Sequence, residues 1–155
     1  MANLIMIKKI YDTPEALENV VNYNIRPDKT DGYIGGVNTL ANTAADCMMS
    51  VINYYKSGGK LLEHFVLSFD NTDVISLENI YLLSYNICNL LSEYQIVFGI
   101  HLDSDHKHVH FALNTTNIKN GSKFSFGYQE TYQLLTDVRT LLSPHNIHCD
   151  LRFNA

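Results

Sequence analysis

The sequence predicts an α+β domain, in which helices pack on one face of a mostly antiparallel sheet. Its 155 residues are the size of one domain, and 46% of them are apolar, which is enough to form a core. Stretches with the alternation typical of strands are interleaved with stretches that follow the 3.6-residue helical period. Two strand-like stretches flank a short acidic turn, as in an antiparallel hairpin. We therefore treat residues 1–155 as a single domain.

The first predicted strand covers residues 4–10 and is followed by a helix. Thr13 is a favoured N-cap residue, Pro14 suits the first helical position, and an acidic residue follows in the first turn. Pro27 cannot continue a helix, so we expect this one to end at residue 23 or 24. Residues 28–36 are polar and contain glycine, which predicts a mobile loop.

Two further helices enclose a strand. Thr43 and Asp46 resemble a capping box with Asp in place of Glu, and the helix they open should end at Gly58-Gly59. Residues 61–69 are predicted as a strand. Ser76 caps the next helix, whose apolar residues keep the helical period to about residue 94.

The second half of the chain begins with the hairpin. Residues 95–102 and 107–114 are its two antiparallel strands. A short strand is predicted at residues 123–126, a helix at residues 128–142, and a last strand at residues 147–153.

Four of the seven histidines lie within ten residues, at this hairpin. His108 and His110 point to the same side of their strand, since side chains alternate along a strand. If the two strands pair, His101 meets them near the turn. Neutral imidazoles bind divalent metal ions well, and three leave positions free for substrate oxygens. The pattern predicts a metal site; solvated surface histidines, the alternative, explain the alternation poorly.

Charge and cysteine content limit the possible functions. The net charge of −5 argues against a protein that coats nucleic acid non-specifically. Cys47, Cys88 and Cys149 form no C-x-x-C pair, so we expect free thiols in a reducing compartment. No apolar run is long enough for a membrane span, and residues 1–9 lack a signal-peptide layout. We expect a cytoplasmic protein.

The histidine motif resembles a known family. The segment from His101 to Asn114, HLDSDHKHVHFALN, is similar to the metal motif of the HUH endonucleases, more narrowly the relaxases of plasmid and conjugative-element mobilisation. Residues 22–30, NYNIRPDKT, resemble the segment that holds the family's nucleophilic tyrosine. Residues 64–69, HFVLSF, resemble its strand near the bound DNA. The three motifs follow the family's order and spacing, which implies an HUH domain of ferredoxin or RRM-like fold.

The resemblance implies an enzyme that nicks and rejoins single-stranded DNA at an origin of transfer. A divalent metal ion, Mg²⁺ or Mn²⁺, would be held by His101, His108 and His110, although Zn²⁺ or Ni²⁺ can bind three imidazoles more tightly. Tyr23 would attack phosphorus and form a 5′-phosphotyrosine intermediate. The tyrosine needs a base, for which Asp103 is the first candidate and His106 the alternative; an aspartate here could also orient a ligand histidine.

Five residues are candidates for DNA contact. Ser68 and Asn114 belong to the matching motifs, and three basic residues flank the site, where they could hold phosphates: Arg26, Lys29 and Lys107. Because the chain is acidic, sequence-specific binding could require an accessory DNA-binding protein.

Other functions remain open at this point. Tyr128 and Tyr132 follow the histidines, as the nucleophile does in single-tyrosine HUH transposases, so a transposase or rolling-circle initiator is one alternative. A non-catalytic DNA-binding descendant and a metallohydrolase unrelated to DNA are the others.

Overall fold

The computed structural model describes residues 1–154, which form six strands and five helices. The strands are β1 (Ala2–Ile7), β2 (Ile34–Val37), β3 (Leu62–Ser68), β4 (Ile96–His101), β5 (His108–Asn114) and β6 (Cys149–Asn154). The helices are α1 (Pro14–Asn24), α2 (Pro27–Thr30), α3 (Ala44–Tyr55), α4 (Leu77–Asn89) and α5 (Tyr128–Leu142). Within residues 1–154, no helix is both long and apolar enough to cross a membrane.

The strands form one sheet in the order β2-β4-β5-β3-β1-β6. Neighbouring strands are antiparallel, except that β1 and β6 run parallel. The predicted α+β class with a mostly antiparallel sheet is confirmed. The predicted hairpin is also present, as β4 and β5 at the centre of the sheet.

Helices cover both faces of the sheet, whereas the sequence predicted one. Helices α4 and α5 pack on the face that carries Phe65, Phe98 and Phe111, and this is the larger core. Helices α1 and α3 pack on part of the opposite face, against a smaller core that includes Val97 and Ala112. These small side chains alternate with the residues of the larger core, so the second apolar patch shares a face with the histidines.

Two of the three predicted N-caps are confirmed. The hydroxyl groups of Thr13 and Ser76 accept hydrogen bonds from backbone N–H groups three residues on, both at 3.1 Å. The predicted capping box at Thr43 is wrong, because this hydroxyl lies 3.6 Å from the sulfur of Cys47. Helix α3 also ends earlier than predicted, since Lys56 has a φ of 53° and turns the chain into the left-handed region.

Residues 28–36 are not the predicted mobile loop. They contain helix α2 and the edge strand β2, which pairs with β4. The glycines suggested a loop, but the structure uses one of them for close packing: a Cβ on Gly35 would lie 2.6 Å from the ring of Phe98 and from the hydroxyl of Tyr85. The predicted strand at 123–126 is also wrong, and only a bridge between Thr116 and Lys123 occurs there.

The other elements are present, and their ends differ by a few residues. The first strand covers residues 2–7, and the last covers residues 149–154. Helix α4 ends at Asn89, because Leu90 and Leu91 donate to carbonyl groups three residues back and so tighten the last turn. Helix α5 has the predicted bounds.

Candidate active site

The three histidines of the predicted metal site lie together at one end of the central hairpin. In the register of β4 and β5, His101 pairs with His108, and His110 pairs with Gly99. The ring centroid of His101 lies 4.2 Å from that of His110 and 5.2 Å from that of His108. One ring nitrogen of each histidine lies within 4.8 Å of the other two. Three imidazoles at this separation could hold one metal ion.

The hydrogen bonds of the rings show which nitrogens are free to bind a metal. His101 donates from Nε2 to the carbonyl oxygen of Asn24 at 3.1 Å, and His108 donates from Nδ1 to that of His106 at 2.9 Å. The Nδ1 of His110 lies 3.1 Å from the Nε2 of His64. The nitrogens left free to bind a metal are therefore Nδ1 of His101 and Nε2 of His108 and His110. Each imidazole offers one lone pair.

The Nδ1 atom of His101 is a direct sign that the site fits a cation. This nitrogen is buried and has no hydrogen-bond partner within residues 1–154. A buried polar atom left in this state costs about 1–3 kcal/mol. A bound metal ion would remove that cost, and imidazole nitrogens suit such an ion. The residues present therefore fit a divalent metal ion.

The protonation states also suit metal binding. Loss of contact with water, and then the neighbouring imidazoles, lower the pKa of His110 to about 2. Burial likewise lowers the pKa of His64 to about 4 and lowers the pKa of His101. Near pH 7 these rings are neutral, so a metal ion displaces no protons from them.

Helix α1 brings Tyr23 to the histidines because its last turn rests on Gly99. A Cβ on Gly99 would overlap the carbonyl oxygen of Asn24, the same oxygen that accepts from His101. A residue without a side chain is therefore required where the helix meets the strand. Apolar residues of α1, Leu17 and Val21, are fully buried in the smaller core and hold the helix there.

The ring of Tyr23 packs edge-on against two of the three histidines. Its centroid lies 5.2 Å from that of His101 and 5.4 Å from that of His110. The residue is 40% exposed, so an external substrate could reach it. Of the three tyrosines considered as nucleophiles, Tyr23 is the one that the structure places at the histidines.

A lysine and an aspartate complete this side of the site. The Nζ atom of Lys29 lies 5.4 Å from the centroid of the Tyr23 ring and 2.7 Å from a carboxylate oxygen of Asp103. The hydrogen bond from Lys29 holds the pKa of Asp103 below its usual value, and Asp103 in turn raises the pKa of Lys29. Both groups are therefore charged at neutral pH.

The other predicted DNA contacts differ in position. Ser68 pairs with His108 in the register of β3 and β5, which places it beside the site. Lys107 lies in the turn of the hairpin, and its carbonyl oxygen accepts from the N–H of Phe69. The guanidinium group of Arg26 makes two hydrogen bonds to Asp28, at 2.7 and 3.0 Å, which a phosphate would have to replace.

Asn114 lies away from the candidate site, contrary to the sequence prediction. It is at the opposite end of β5 and is fully buried. Its amide nitrogen donates to Gln95 at 2.9 Å, and its oxygen accepts from the N–H of Thr116 at 3.0 Å. Asn114 therefore closes the end of the sheet, and its side chain is buried at the end of β5 away from the histidines.

The alternative nucleophiles lie on the other side of the sheet. Tyr128 and Tyr132 are in the first turns of α5, with ring centroids 4.7 Å apart. This helix packs on the face opposite to the histidines, through Leu134 and Val138. The arrangement does not support a transposase in which the nucleophile comes from this helix.

Sequence analysis did not identify His64 and Tyr11 as site residues. His64 contacts His110, and the hydroxyl group of Tyr11 lies 3.1 Å from the Nδ1 atom of His64. A signal was present, because His64 and Ser68 have the same parity on one strand and so face the same side. The contact with His110 depends on the pairing of β3 with β5, and this pairing was not predicted from the sequence.

The fold and this site define a mixed α/β domain built around a histidine triad at the centre of its sheet. The chain belongs to the relaxase family: the family model described as "Relaxase: MobA/VirD2-like, nuclease domain" matches residues 23–146, which include Tyr23 and the three histidines. Membership of this family implies a DNA endonuclease and strand transferase. The resemblance drawn from the sequence motifs is confirmed.

The similarity to individual proteins is weaker than the match to the family model. No curated protein matches the chain significantly. One solved structure, described as "Molecular Basis of Vancomycin Resistance Transfer in Staphylococcus aureus", is similar with a TM-score of 0.48 and 11% sequence identity. The similarity covers 68% of this chain and 62% of that chain, so this chain spans less than two thirds of that structure.

Proposed function

We propose that this domain nicks and rejoins one strand of DNA at an origin of transfer, through a covalent bond to Tyr23. The observation that carries the proposal is the position of Tyr23, whose ring packs against His101 and His110 while 40% of the residue stays exposed. Membership of the relaxase family supports the reaction class. Mobilisation of a plasmid or conjugative element is the process that such a reaction serves.

In the proposed reaction, the phenolic oxygen of Tyr23 attacks the phosphorus atom of a phosphodiester. The bond from phosphorus to the 3′ oxygen breaks, and that oxygen leaves as a free 3′-hydroxyl after taking up a proton. The 5′ end stays on the protein as a phosphotyrosine, which conserves the bond energy, so the reverse attack reseals the strand. Mg²⁺ or Mn²⁺ held by the triad would neutralise charge on the non-bridging phosphate oxygens.

Asp103 and Lys29, which form an ion pair, have complementary roles in this proposal. Asp103 is the proposed base: it is ionised at neutral pH, which is the form that accepts a proton. Its ion pair with Lys29 makes it a weak base, and His106 in the same turn is the alternative. Lys29 lies over the phenol ring, where its ammonium group favours negative charge on the attacking oxygen.

Substrate binding would use the residues around the triad. Arg26, Lys29 and Lys107 would contact phosphates, and Ser68 would contact the strand near His108. Contacts of this kind position a strand without reading its sequence. Because the chain has a net charge of −5, we propose that an accessory DNA-binding protein supplies part of the affinity for the origin.

The proposal is tested with a pool of random single-stranded oligonucleotides labelled at the 3′ end. In the proposed reaction, the labelled fragment stays attached to the protein on a denaturing gel. Wild-type protein with Mn²⁺ should give this adduct, and Tyr23→Phe should give none, because it removes only the attacking oxygen. Tyr128→Phe is the matched control and should behave as wild type.

Two results would contradict the proposal. They are an adduct that survives Tyr23→Phe and an adduct lost in Tyr128→Phe.

A further inference from the structure

We propose that His64 and Tyr11 are positioning residues for the metal ligand His110. They form a hydrogen-bonded chain that fixes which nitrogen of His110 is free to bind the ion. This inference rests on the metal site proposed above. It concerns two residues outside the triad, one on strand β3 and one in the segment between β1 and α1.

The contacts form a continuous line into the protein. The Nδ1 atom of His110 lies 3.1 Å from the Nε2 atom of His64, and the Nδ1 atom of His64 lies 3.1 Å from the hydroxyl oxygen of Tyr11. His64 and Tyr11 are each only 8% exposed. Water therefore competes weakly for these hydrogen bonds, which favours one defined arrangement.

Strand pairing and a backbone contact fix the geometry of the chain. Strands β3 and β5 pair so that Val66 lies opposite His110, which places His64 at the diagonal position on the same face. Tyr11 belongs to the smaller core, and its carbonyl oxygen accepts a hydrogen bond from the N–H of Leu61 at 2.6 Å. Both residues are therefore held by parts of the fold that lie outside the active site.

His110 differs from the other two ligands in how its ring is oriented. Backbone carbonyl groups, of Asn24 and His106, accept from His101 and His108. A carbonyl oxygen only accepts, so those two rings have one possible tautomer at the bonded nitrogen. His110 has a side chain in that role, and a neutral imidazole can either donate or accept. The tautomer of His110 therefore depends on the groups behind His64.

When the Nε2 atom of His110 binds a cation, the two hydrogen bonds from His110 to His64 and from His64 to Tyr11 can be donated in one direction only. His110 then carries its hydrogen on Nδ1 and donates to the Nε2 atom of His64. His64 in turn carries its hydrogen on Nδ1 and donates to the hydroxyl oxygen of Tyr11. The hydroxyl group of Tyr11 keeps its own hydrogen, so no proton is gained or lost. Tyr11 thus stabilises the metal-binding tautomer of His110 indirectly, through its hydrogen bond with His64.

The first test measures the affinity of the full chain for Mn²⁺ by titration calorimetry. His64→Leu removes the acceptor, and should weaken binding by roughly 10- to 100-fold, the usual effect of losing a partner behind a ligand histidine. His64→Gln should restore binding to within a few-fold of wild type, because its amide oxygen can accept from His110. A purely structural role for the ring would not give this rescue.

Two controls make the result specific to His64. His148→Leu changes an exposed histidine and should leave the affinity for Mn²⁺ unchanged. Thermal unfolding without metal shows whether each variant is folded. If His64→Leu does not fold, Tyr11→Phe serves as the second variant, since it removes one oxygen atom and should weaken binding of Mn²⁺ several-fold.

A spectroscopic test checks the direction of the chain. Ring ¹⁵N shifts of the Zn²⁺-loaded protein should show His64 with its hydrogen on Nδ1, and Tyr11→Phe should disturb this signal. His64 with its hydrogen on Nε2 in the loaded protein would overturn the inference. Wild-type affinity for Mn²⁺ in His64→Leu would also overturn it. Failure of wild-type protein to bind Mn²⁺ or Zn²⁺ would instead refute the metal site itself.

Discussion

Burial of imidazole rings is the main electrostatic feature at the scale of single residues. His101 is fully buried and His64 is 8% exposed, and burial lowers the pKa of both. A neutral ring inside the protein can bind metal, but the same ring in the unfolded chain takes up a proton at an ordinary pKa of about 6.5. Neutral site histidines should therefore make the folded state sensitive to acid.

We predict that His64 contributes to the loss of stability at low pH. Its pKa is about 4 in the folded state, below the unfolded value, so the unfolded chain binds more protons between these values. The contribution is fully present above about pH 6.5 and is lost as the pH falls towards 4. It should be about 2–3 kcal/mol, and urea unfolding at pH 7.5 and 4.5 measures it.

His64→Gln cannot take up this proton, so this variant should lose about 2–3 kcal/mol less than wild type between the two pH values. His148→Gln, at an exposed position, is the control and should follow wild type. An equal loss of stability in wild type and His64→Gln would show that burial of this ring does not set the acid sensitivity.

We also predict that Lys29 accelerates attack by Tyr23. Its ammonium group lies 5.4 Å from the centroid of the phenol ring and is held by Asp103. Lys29→Met should slow adduct formation about tenfold, because the positive charge over the phenol ring is lost. Affinity for Mn²⁺ should change little, since Lys29 is not a ligand.

Single-turnover rates of adduct formation measure the effect of Lys29→Met. Lys119→Met is the matched control, because Lys119 is an exposed lysine that lies 3.8 Å from an acidic partner, Glu93, as Lys29 lies next to Asp103. An unchanged rate in Lys29→Met would restrict Lys29 to a structural ion pair.

At the scale of secondary-structure elements, the contact of α1 with β4 is decisive for the site. The carbonyl oxygen of Asn24 occupies the space that a side chain on Gly99 would fill. The clash is with backbone atoms of Asn24, and the position of a Cβ is set by its own backbone, so no rotamer change relieves it. The end of α1, and Tyr23 with it, can hold its place only if residue 99 is glycine.

Gly99→Ala should therefore destabilise the fold by about 1–3 kcal/mol and strongly reduce adduct formation, because the helix end must move away from the strand. Gly58→Ala is the matched control, since among residues 1–154 no atom lies within 4 Å of the Cβ it would add. Urea unfolding measures the change in stability, and the adduct assay measures the change in activity. Full activity in Gly99→Ala would mean that Tyr23 does not depend on this contact.

The capping residues give a second prediction at this scale. Thr13→Ala removes the acceptor for the N–H of Ala16 and should lower the free energy of unfolding by about 1 kcal/mol. Thr43→Ala should cost less, because this hydroxyl group lies next to Cys47 and makes a weaker contact. Equal losses in the two variants, measured by urea unfolding, would contradict the assignment of the caps.

At the scale of the whole molecule, the sequence predicted the features that depend on the pattern of residues within one segment. The hairpin and its triad were predicted because alternation within one segment places His108 and His110 on one face. Helix α5 was predicted with its bounds, since its apolar residues keep the helical period. The motif order led to the correct family for the same reason.

The features that the sequence did not predict depend on distant pairings. Strand β2 has four residues, two of them glycine, and it forms because β4 pairs with it some sixty positions later in the chain. The approach of α1 to Gly99 and the contact of His64 with His110 likewise join separate segments. Asn114 was predicted as a site residue because it ends the motif. It is buried instead, since it lies at the end of β5 farthest from the histidines.

The central claim is that Tyr23 is the residue that bonds to DNA, and mass spectrometry of the trapped adduct tests it most directly. Trypsin should release the peptide of residues 10–29, which contains two tyrosines, Tyr11 and Tyr23. Fragment ions should place the nucleotide mass on Tyr23, which packs against the histidines and is exposed. Nucleotide mass on Tyr11, Tyr128 or Tyr132 would contradict the account.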